Sequence, residues 1–478
     1  MINFKKYGKR CLSLFLAASM ILMPAVQTFA EEETAAATTD STQTAEEDRE
    51  TQRQKCYAIA PDSNSVENWP QGPATYADSA IVMDMNSGAV LYSKQIEKKH
   101  YPASITKLLT TLVALDNAEL TDTVEFSQDS ISFLEYGDAH IGMTPGEQIS
   151  MEDALYAVLL ASANEVSYAV AESVGKKMGG GYDTFIQAMN DESEKLGCTG
   201  SHWTNANGLH DEQHYTTAHD MARIGAAVYQ KEAFRTISQS LSHTIPVTNL
   251  VNEERTFQQK HKMLWPQNDN YYEYCKGGKT GYTDQARTTL VTMADNGDMQ
   301  LVAVVLYDFG NDAYIDTRAM FDYAYSNFSK ISLKDQKLPE GVKSYEDEDA
   351  YIVLPKSAQF SDVKAEVKED SNKDGSGTVT FTYKGQEVGS VKAAIEKTEE
   401  SSAAVLGKKK DKTTSTVVTG ISKFMKIVIG VVIAVVILLI IIVVLANYRK
   451  QIRRRRRKKG KRRNAKSGNV KRKKKRRR

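Results

Sequence analysis

Ser104 and Lys107 stand three residues apart, followed downstream by Ser162-Ala163-Asn164 and then by Lys279-Thr280-Gly281. A serine hydroxyl becomes a useful nucleophile only when a base takes its proton. A lysine can be that base when its amine is neutral, and burial or a second cation lowers its pKa toward that state. On a helix, a three-residue spacing puts both side chains on one face, with Cβ atoms about 5–6 Å apart. Lys279 is the candidate second cation. Ser162 and Asn164 place a hydroxyl and an amide inside an apolar run, where burial is costly unless they find partners. Gly281 closes a strand and lets another backbone approach closely. Taken singly, each piece is commonplace: Ser104 reads equally well as a helix cap and Lys107 as a solvated helix residue. In this order, on suitable elements, the three predict serine acyl transfer with a lysine base.

The surrounding pattern supplies those elements. Residues 80–85 and 89–92, around Asn86-Ser87-Gly88, predict a β-hairpin. Pro102-Ala103-Ser104 opens a helix, with Ile105, Leu108, Leu109, Leu112, Val113 and Leu115 at helical spacing. Met151–Val174 reads as a long apolar helix, interrupted where Ser162 and Asn164 face a cleft. Tyr182–Gly197 is a further helix, Thr204–His219 a loop, and Asp220 leads the next helix. Tyr274–Gly281, Thr288–Ala294 and Gln300–Tyr307 read as strands, and Thr317–Phe328 as the closing helix. First and last strands with helices between predict an α+β fold, an antiparallel sheet flanked by helices. Alternating runs from Ala350 to Lys392 predict a small all-β domain after it.

The two ends have a different character. Residues 1–30 hold four basic residues, the apolar run Leu12–Val26 and Thr28-Phe29-Ala30, the pattern of a secretory signal peptide. Ile427–Ala446 is a charge-free run of twenty residues. As a helix it spans roughly 30 Å, the hydrocarbon thickness of a bilayer, so it predicts a transmembrane helix. The tail beyond it carries 21 Lys and Arg and no acid. Without the tail and leader, 37 basic residues face 60 acidic ones, so the body is strongly negative although the whole chain sums to +2. The positive-inside rule then puts the tail in the cytoplasm and the body outside. The tail reads as an orientation signal held on anionic lipid. Nucleic-acid binding is disfavoured, because no aromatic platform is interleaved with the charges beyond Tyr448.

These boundaries divide the chain into a signal peptide (1–30), an acidic disordered spacer (31–65), a catalytic domain (66–330), a small β-rich domain (331–398), a flexible linker (399–423), a transmembrane helix (424–447) and a polybasic tail (448–478). Cys56, Cys198 and Cys275 leave room for one disulfide but form no disulfide framework. Cys275 reads as a strand residue without chemistry. His210, His214 and His219 fall in a loop without a zinc signature and read as solvated, so no metal or cofactor is expected. Asp370-x-Asn372-x-Asp374-Gly375 starts like a calcium loop, but Phe381 holds the position that needs glutamate, and it reads as a hairpin turn.

The three motifs, with Gly146-Glu147, Met189-Asn190, Leu196-Gly197, Asn207-Gly208-Leu209, Thr217-Ala218-His219-Asp220-Met221-Ala222 and Gly281-Tyr282-Thr283, resemble the low-molecular-mass penicillin-binding proteins, the serine-type D-alanyl-D-alanine carboxypeptidases. The likeness covers roughly residues 65–330 and extends to the β-rich part and C-terminal anchor. It implies the penicillin-binding/β-lactamase-like transpeptidase fold and removal of the terminal D-Ala from peptidoglycan stem pentapeptides. Ser104 would form the acyl-enzyme, Lys107 would be the base and Ser162 would relay protons. Asn164 would hold the substrate amide, Lys279 and Thr280 its carboxylate, and the N–H groups of Ser104 and Tyr282 the oxyanion. β-Lactam antibiotics would be covalent inhibitors. The chain departs from the family at Arg287, where glycine is usual after Ala286, and at Arg318, shifted from an arginine the family carries before its last helix. The rival readings are a serine β-lactamase and a catalytically inactive wall-binding module. Glu172, Glu192, Glu194 and Glu212 offer no recognisable pattern for a deacylating glutamate, and intact Ser104 and Lys107 disfavour an inactive module.

Overall fold

The computed structural model describes residues 46–370 and 375–396. The leader, the run Ile427–Ala446 and the basic tail lie outside them. Among the described residues no helix is long and apolar enough to cross a membrane.

Five strands form the central sheet: β1 (Ser79–Asp84), β2 (Val90–Lys94), β3 (Cys275–Thr283), β4 (Arg287–Asp295) and β5 (Gln300–Asp308), in the order β2-β1-β5-β4-β3. Every neighbouring pair is antiparallel. The first and last strands of the region thus build one sheet, as the pattern predicts. β1 is buried at all six residues, because both faces of the sheet are covered. On one face Ile81, Met83, Val291, Met293, Val302 and Val304 pack into a helical core. On the other, Ala80, Val82, Leu290, Leu301, Ala303 and Val305 join a second cluster. The period-2 alternation of strand side chains makes this division.

Five helices matter for the site: α1 (Lys107–Asn117), α2 (Asn164–Lys177), α3 (Tyr182–Lys195), α4 (Ala218–Tyr229) and α5 (Asp312–Asn327). α1 is buried from Lys107 to Ala114, and α4 begins at a Thr217 cap whose hydroxyl accepts from the Asp220 N–H. β3 is an edge strand of the sheet, so one side of its backbone stays open to a neighbour.

Two readings of domain organisation need correction. Residues 46–57 are helical, not a disordered spacer. Arg53 Nε bonds Asp312 Oδ2 at 2.5 Å and its guanidinium lies over the Tyr76 ring, so this segment is tied to α5. The β-rich part beyond residue 331 does not stand apart either. Val379, Phe381, Tyr383 and Ile395 share one apolar cluster with Trp69, Ala80, Leu91 and Phe328. Tyr351 donates to Asp84 at 3.1 Å, and the Ser390 N–H donates to Ser87 O at 2.7 Å. The strands at 363–369 and 376–383 pair as a hairpin, and of the calcium-like stretch residues 371–374 lie outside the described part.

A hairpin of Ser242–Ile245 with Arg255–Gln258 braces the wall of the cleft. Arg255 grips the fully buried Glu147 with two hydrogen bonds, at 2.6 and 3.0 Å, and the Thr248 hydroxyl and Thr144 N–H add two more. Burial alone would raise the Glu147 pKa, but these donors hold its carboxyl below the ordinary range. Arg255→Ala strands that carboxylate and is expected to destabilise the fold by about 3–5 kcal/mol, read by chemical denaturation. A change below about 1 kcal/mol, the worth of an exposed pair, would contradict this bracing role.

Candidate active site

Ser104 sits on a single 3₁₀ turn, Ala103–Thr106, that feeds directly into α1. Ala103 is left-handed, with φ of 51°, a strained conformation for a residue with a Cβ. Neighbouring segments pin this turn from two sides. The Thr289 hydroxyl on β4 donates to Pro102 O at 2.8 Å. Gly208, itself at φ of 83°, packs so tightly that an added Cβ would fall 1.9 Å from Ala103 O.

Lys107 is fully buried. Its Nζ lies 3.1 Å from Ser104 Oγ, 2.8 Å from Asn164 Oδ1 and 2.5 Å from Asn207 O. Two of these partners only accept; the serine hydroxyl can also donate. A neutral amine therefore satisfies the site completely: two N–H groups serve Asn164 and Asn207, and the lone pair faces the Ser104 proton. Burial, aided by the Lys260 charge, brings Lys107 down to about 7 against the opposing pull of Glu165 and Asp138. Among the described residues no carboxylate forms an ion pair with it.

The apolar helix predicted over 151–174 is broken where expected. Met151–Tyr156 is α-helical, Ala157–Ala161 is one π turn, and Ser162 is left-handed at φ of 63° before α2 starts. Such π turns re-aim side chains at the expense of regular hydrogen bonding. Asn164 is buried and spends its oxygen on Lys107, which leaves its amide N–H₂ to the cleft. The Ser162 hydroxyl has no hydrogen-bond partner among the described residues.

Lys279 is 1 % exposed, and burial first, then the charges of Lys107 and Lys260, hold it well below the ordinary lysine range. Its Nζ donates to Thr280 O at 2.8 Å. A Cβ added at Gly281 would lie 2.9 Å from Ser104 N and 2.4 Å from Thr289 Oγ1, so glycine is what lets β3 run against the nucleophile turn. Tyr282 turns its ring outward, 59 % exposed, and donates to Asp284 at 3.2 Å. The structure therefore gathers Ser104, Lys107, Asn164 and Gly281 in direct contact, with Lys279 close enough to feel the charge of Lys107 and Ser162 two residues before Asn164; the cation that lowers Lys107 is Lys260, not the expected Lys279.

Other sequence signals resolve differently. His214 is buried, not solvated, at 1 % exposure; His210 stacks edge-on against Tyr101, and His219 pairs with Glu97. Arg318 donates to Tyr271 O and lies over the Tyr272 ring. Cys56, Cys198 and Cys275 are free, buried thiols, and burial pushes them up to about 11, 12 and 12. Among the described residues no cluster of His, Cys, Asp and Glu could hold a metal ion. Sequence reasoning missed two contributors. The Asn207 carbonyl reaches Lys107 from a loop whose Asn-Gly turn was the available signal. Lys260, an exposed side chain whose own ammonium is nonetheless lowered by burial, adds its charge at the rim.

The region that holds this site is similar in sequence to known proteins. The sequence profile of the D-alanyl-D-alanine carboxypeptidases matches residues 66–310. The D-alanyl-D-alanine carboxypeptidase DacF of Bacillus subtilis is 28 % identical over 340 residues, covering 66 % of this chain and 80 % of that protein. DacB2 of Mycobacterium tuberculosis is 32 % identical over 267 residues, covering 54 % of this chain and 84 % of that protein. The crystal structure of a D-alanyl-D-alanine carboxypeptidase from M. tuberculosis H37Rv is 31 % identical, with a TM-score of 0.48, and covers 56 % of this chain and 96 % of that one. With the profile spanning every residue of the Ser104–Lys107–Asn164–Lys279 cleft, the chain belongs to the D-alanyl-D-alanine carboxypeptidase family.

Proposed function

We propose that this protein removes the terminal D-alanine from peptidoglycan stem pentapeptides through an acyl-enzyme on Ser104. The observation that carries the reading is the buried amine of Lys107, 3.1 Å from the Ser104 hydroxyl. In the first step Lys107 takes the hydroxyl proton, and Ser104 Oγ attacks the carbonyl of the penultimate D-alanine. The oxyanion is held by the N–H groups of Ser104 and Tyr282, a reading supported by the close approach to Ser104 N that Gly281 allows the strand. Such a hole contributes ~10²–10³ in rate. Collapse breaks the peptide bond and expels the terminal D-alanine, whose nitrogen takes a proton through Ser162. Water then hydrolyses the ester by the reverse proton path.

Asn164 offers its free amide to the substrate backbone, and Lys279 with Thr280 receives the terminal carboxylate. β-Lactams, which carry a strained acyl group and a carboxylate, fit the same contacts and acylate the same oxygen. The body works on the outer face of the cell membrane. Support for that placement comes from the signal-like leader, the apolar run Ile427–Ala446 and the basic tail beyond it.

The full-length protein in detergent, given a D-Ala-D-Ala pentapeptide, is expected to release D-alanine stoichiometrically with substrate loss, while a chromogenic cephalosporin yields one slow turnover equivalent. Rapid, repeated cephalosporin hydrolysis would make it a β-lactamase instead. Absence of both activities, with no covalent label, would leave a wall-binding module.

A further inference from the structure

We propose that His214 is a positioning residue that ties the turn carrying Ser104 to the loop carrying Asn207. The inference rests on Ser104 being the nucleophile.

Both ring nitrogens of His214 are engaged. Nδ1 lies 3.0 Å from the Thr204 N, and Nε2 lies 2.8 Å from Thr106 Oγ1. The partners fix the tautomer. A backbone N–H can only donate, so Nδ1 accepts and carries no proton. The single ring proton is then on Nε2 and is donated to Thr106 Oγ1. The Thr106 hydroxyl passes the chain on by donating to Ala103 O at 2.8 Å. Burial lowers His214 to about 3, so the neutral ring and this donor order persist across any working pH.

The two ends of this chain, Ala103 O and Thr204 N, lie in the two segments that hold the Ser104–Lys107 pair. Ala103 precedes Ser104 and is held at φ of 51°, a strained conformation that its surroundings must offset. Thr204 opens the loop that reaches Asn207, whose carbonyl takes an N–H of Lys107 at 2.5 Å. A second tie, from the Thr110 hydroxyl to Ala206 O at 2.7 Å, joins this loop to α1 one turn further on. The same hydroxyl touches the end of the Ala103–Thr106 turn only through a long contact to Thr106 O at 3.5 Å. His214 thus supplies a hydrogen-bonded link between the nucleophile turn and the loop holding its base, beside the close packing of Gly208 on Ala103 O. Around it, Trp203 packs edge-on at 5.4 Å between ring centres, which excludes water from the network.

The test measures acylation of full-length protein by penicillin in single turnover, resolving the pre-acylation dissociation constant from the acylation rate constant. Three single variants are compared: His214→Phe keeps the ring volume and loses both hydrogen bonds, His214→Gln keeps one acceptor and one donor, and Thr106→Val cuts the chain at its centre. Acylation in His214→Phe and Thr106→Val is expected to slow by about 10–100-fold, the effect of an ångström-scale misplacement. The dissociation constant stays near the native value, His214→Gln recovers most of the rate, and the double variant His214→Phe/Thr106→Val is no slower than the worse single one, since both cut one chain. Thermal melting reports whether each variant folds. Native acylation rates in folded Thr106→Val, or in folded His214→Phe, would overturn the proposal. So would losses that multiply in the double variant, or that appear only in the dissociation constant. If His214→Phe does not fold, Thr106→Val and His214→Gln decide the matter alone. Native protein that is never acylated at Ser104 would instead refute the function on which the inference rests.

Discussion

Ser104→Ala is expected to remove all covalent labelling by penicillin and to lower D-alanine release by about 10⁴–10⁶-fold. The size of the loss follows from the surroundings of the hydroxyl. Ser104 Oγ is the oxygen that faces the buried amine of Lys107. The nearby Thr106 hydroxyl is committed to Ala103 O and His214, and Ser162 makes no hydrogen bond to Lys107 among the described residues. Among the described residues no other hydroxyl hydrogen-bonds the Lys107 amine. The proposed carboxylate contacts at Lys279 and Thr280 and the proposed oxyanion donors are untouched, so reversible penicillin binding should survive. Loss of reversible binding together with labelling would mean that the substitution damages the cleft, not the nucleophile alone.

The second large effect concerns the base. Lys107→Arg is expected to slow acylation by about 10²–10⁴-fold, because a guanidinium stays protonated and cannot take the serine proton. In the native protein the acylation rate should rise with pH through about 7 and then level off. The sign follows from the direction of the shift: burial and Lys260 lower Lys107 to about 7, so the amine is charged and inactive below that pH and neutral above it. Lys260→Gln removes a cation that disfavours the ammonium form. The midpoint of the profile should then move to higher pH, while the plateau stays near the native value. A native profile that is flat between pH 6 and 9 would show that the titration of Lys107 does not limit the reaction.

Much of this arrangement was legible in the sequence because it depends on spacing along single elements. Ser104 and Lys107 are joined by one turn, and the apolar periodicity after them fixes the helix that carries both. The break at Ser162 was visible as polar residues inside an apolar run, although the π turn and left-handed serine that produce it were not. Gly281 announced a close approach, and the structure supplies its partner, the Ser104 turn. Contacts between distant segments were not legible. His214 lies 108 residues from Thr106, and nothing in a polar, glycine-containing loop distinguishes a buried histidine from a solvated one. The same limit hid the helix at 46–57. Its acidic, apolar-poor composition resembles a spacer, and its order depends on Arg53 meeting Asp312, 259 residues away. The β-rich part was correctly read as strands, but the apolar residues it shares with Trp69 and Leu91 could not be paired from pattern alone.

The proposed chemistry turns on the bond that forms at one oxygen, Ser104 Oγ. The direct measurement is intact-mass and peptide-mapping mass spectrometry of the full-length protein after brief exposure to penicillin. A single added penicilloyl mass on the peptide containing Ser104, growing with pH through about 7 at fixed exposure, is the predicted result. An adduct on any other residue, or none on protein that is folded and binds penicillin reversibly, would contradict it.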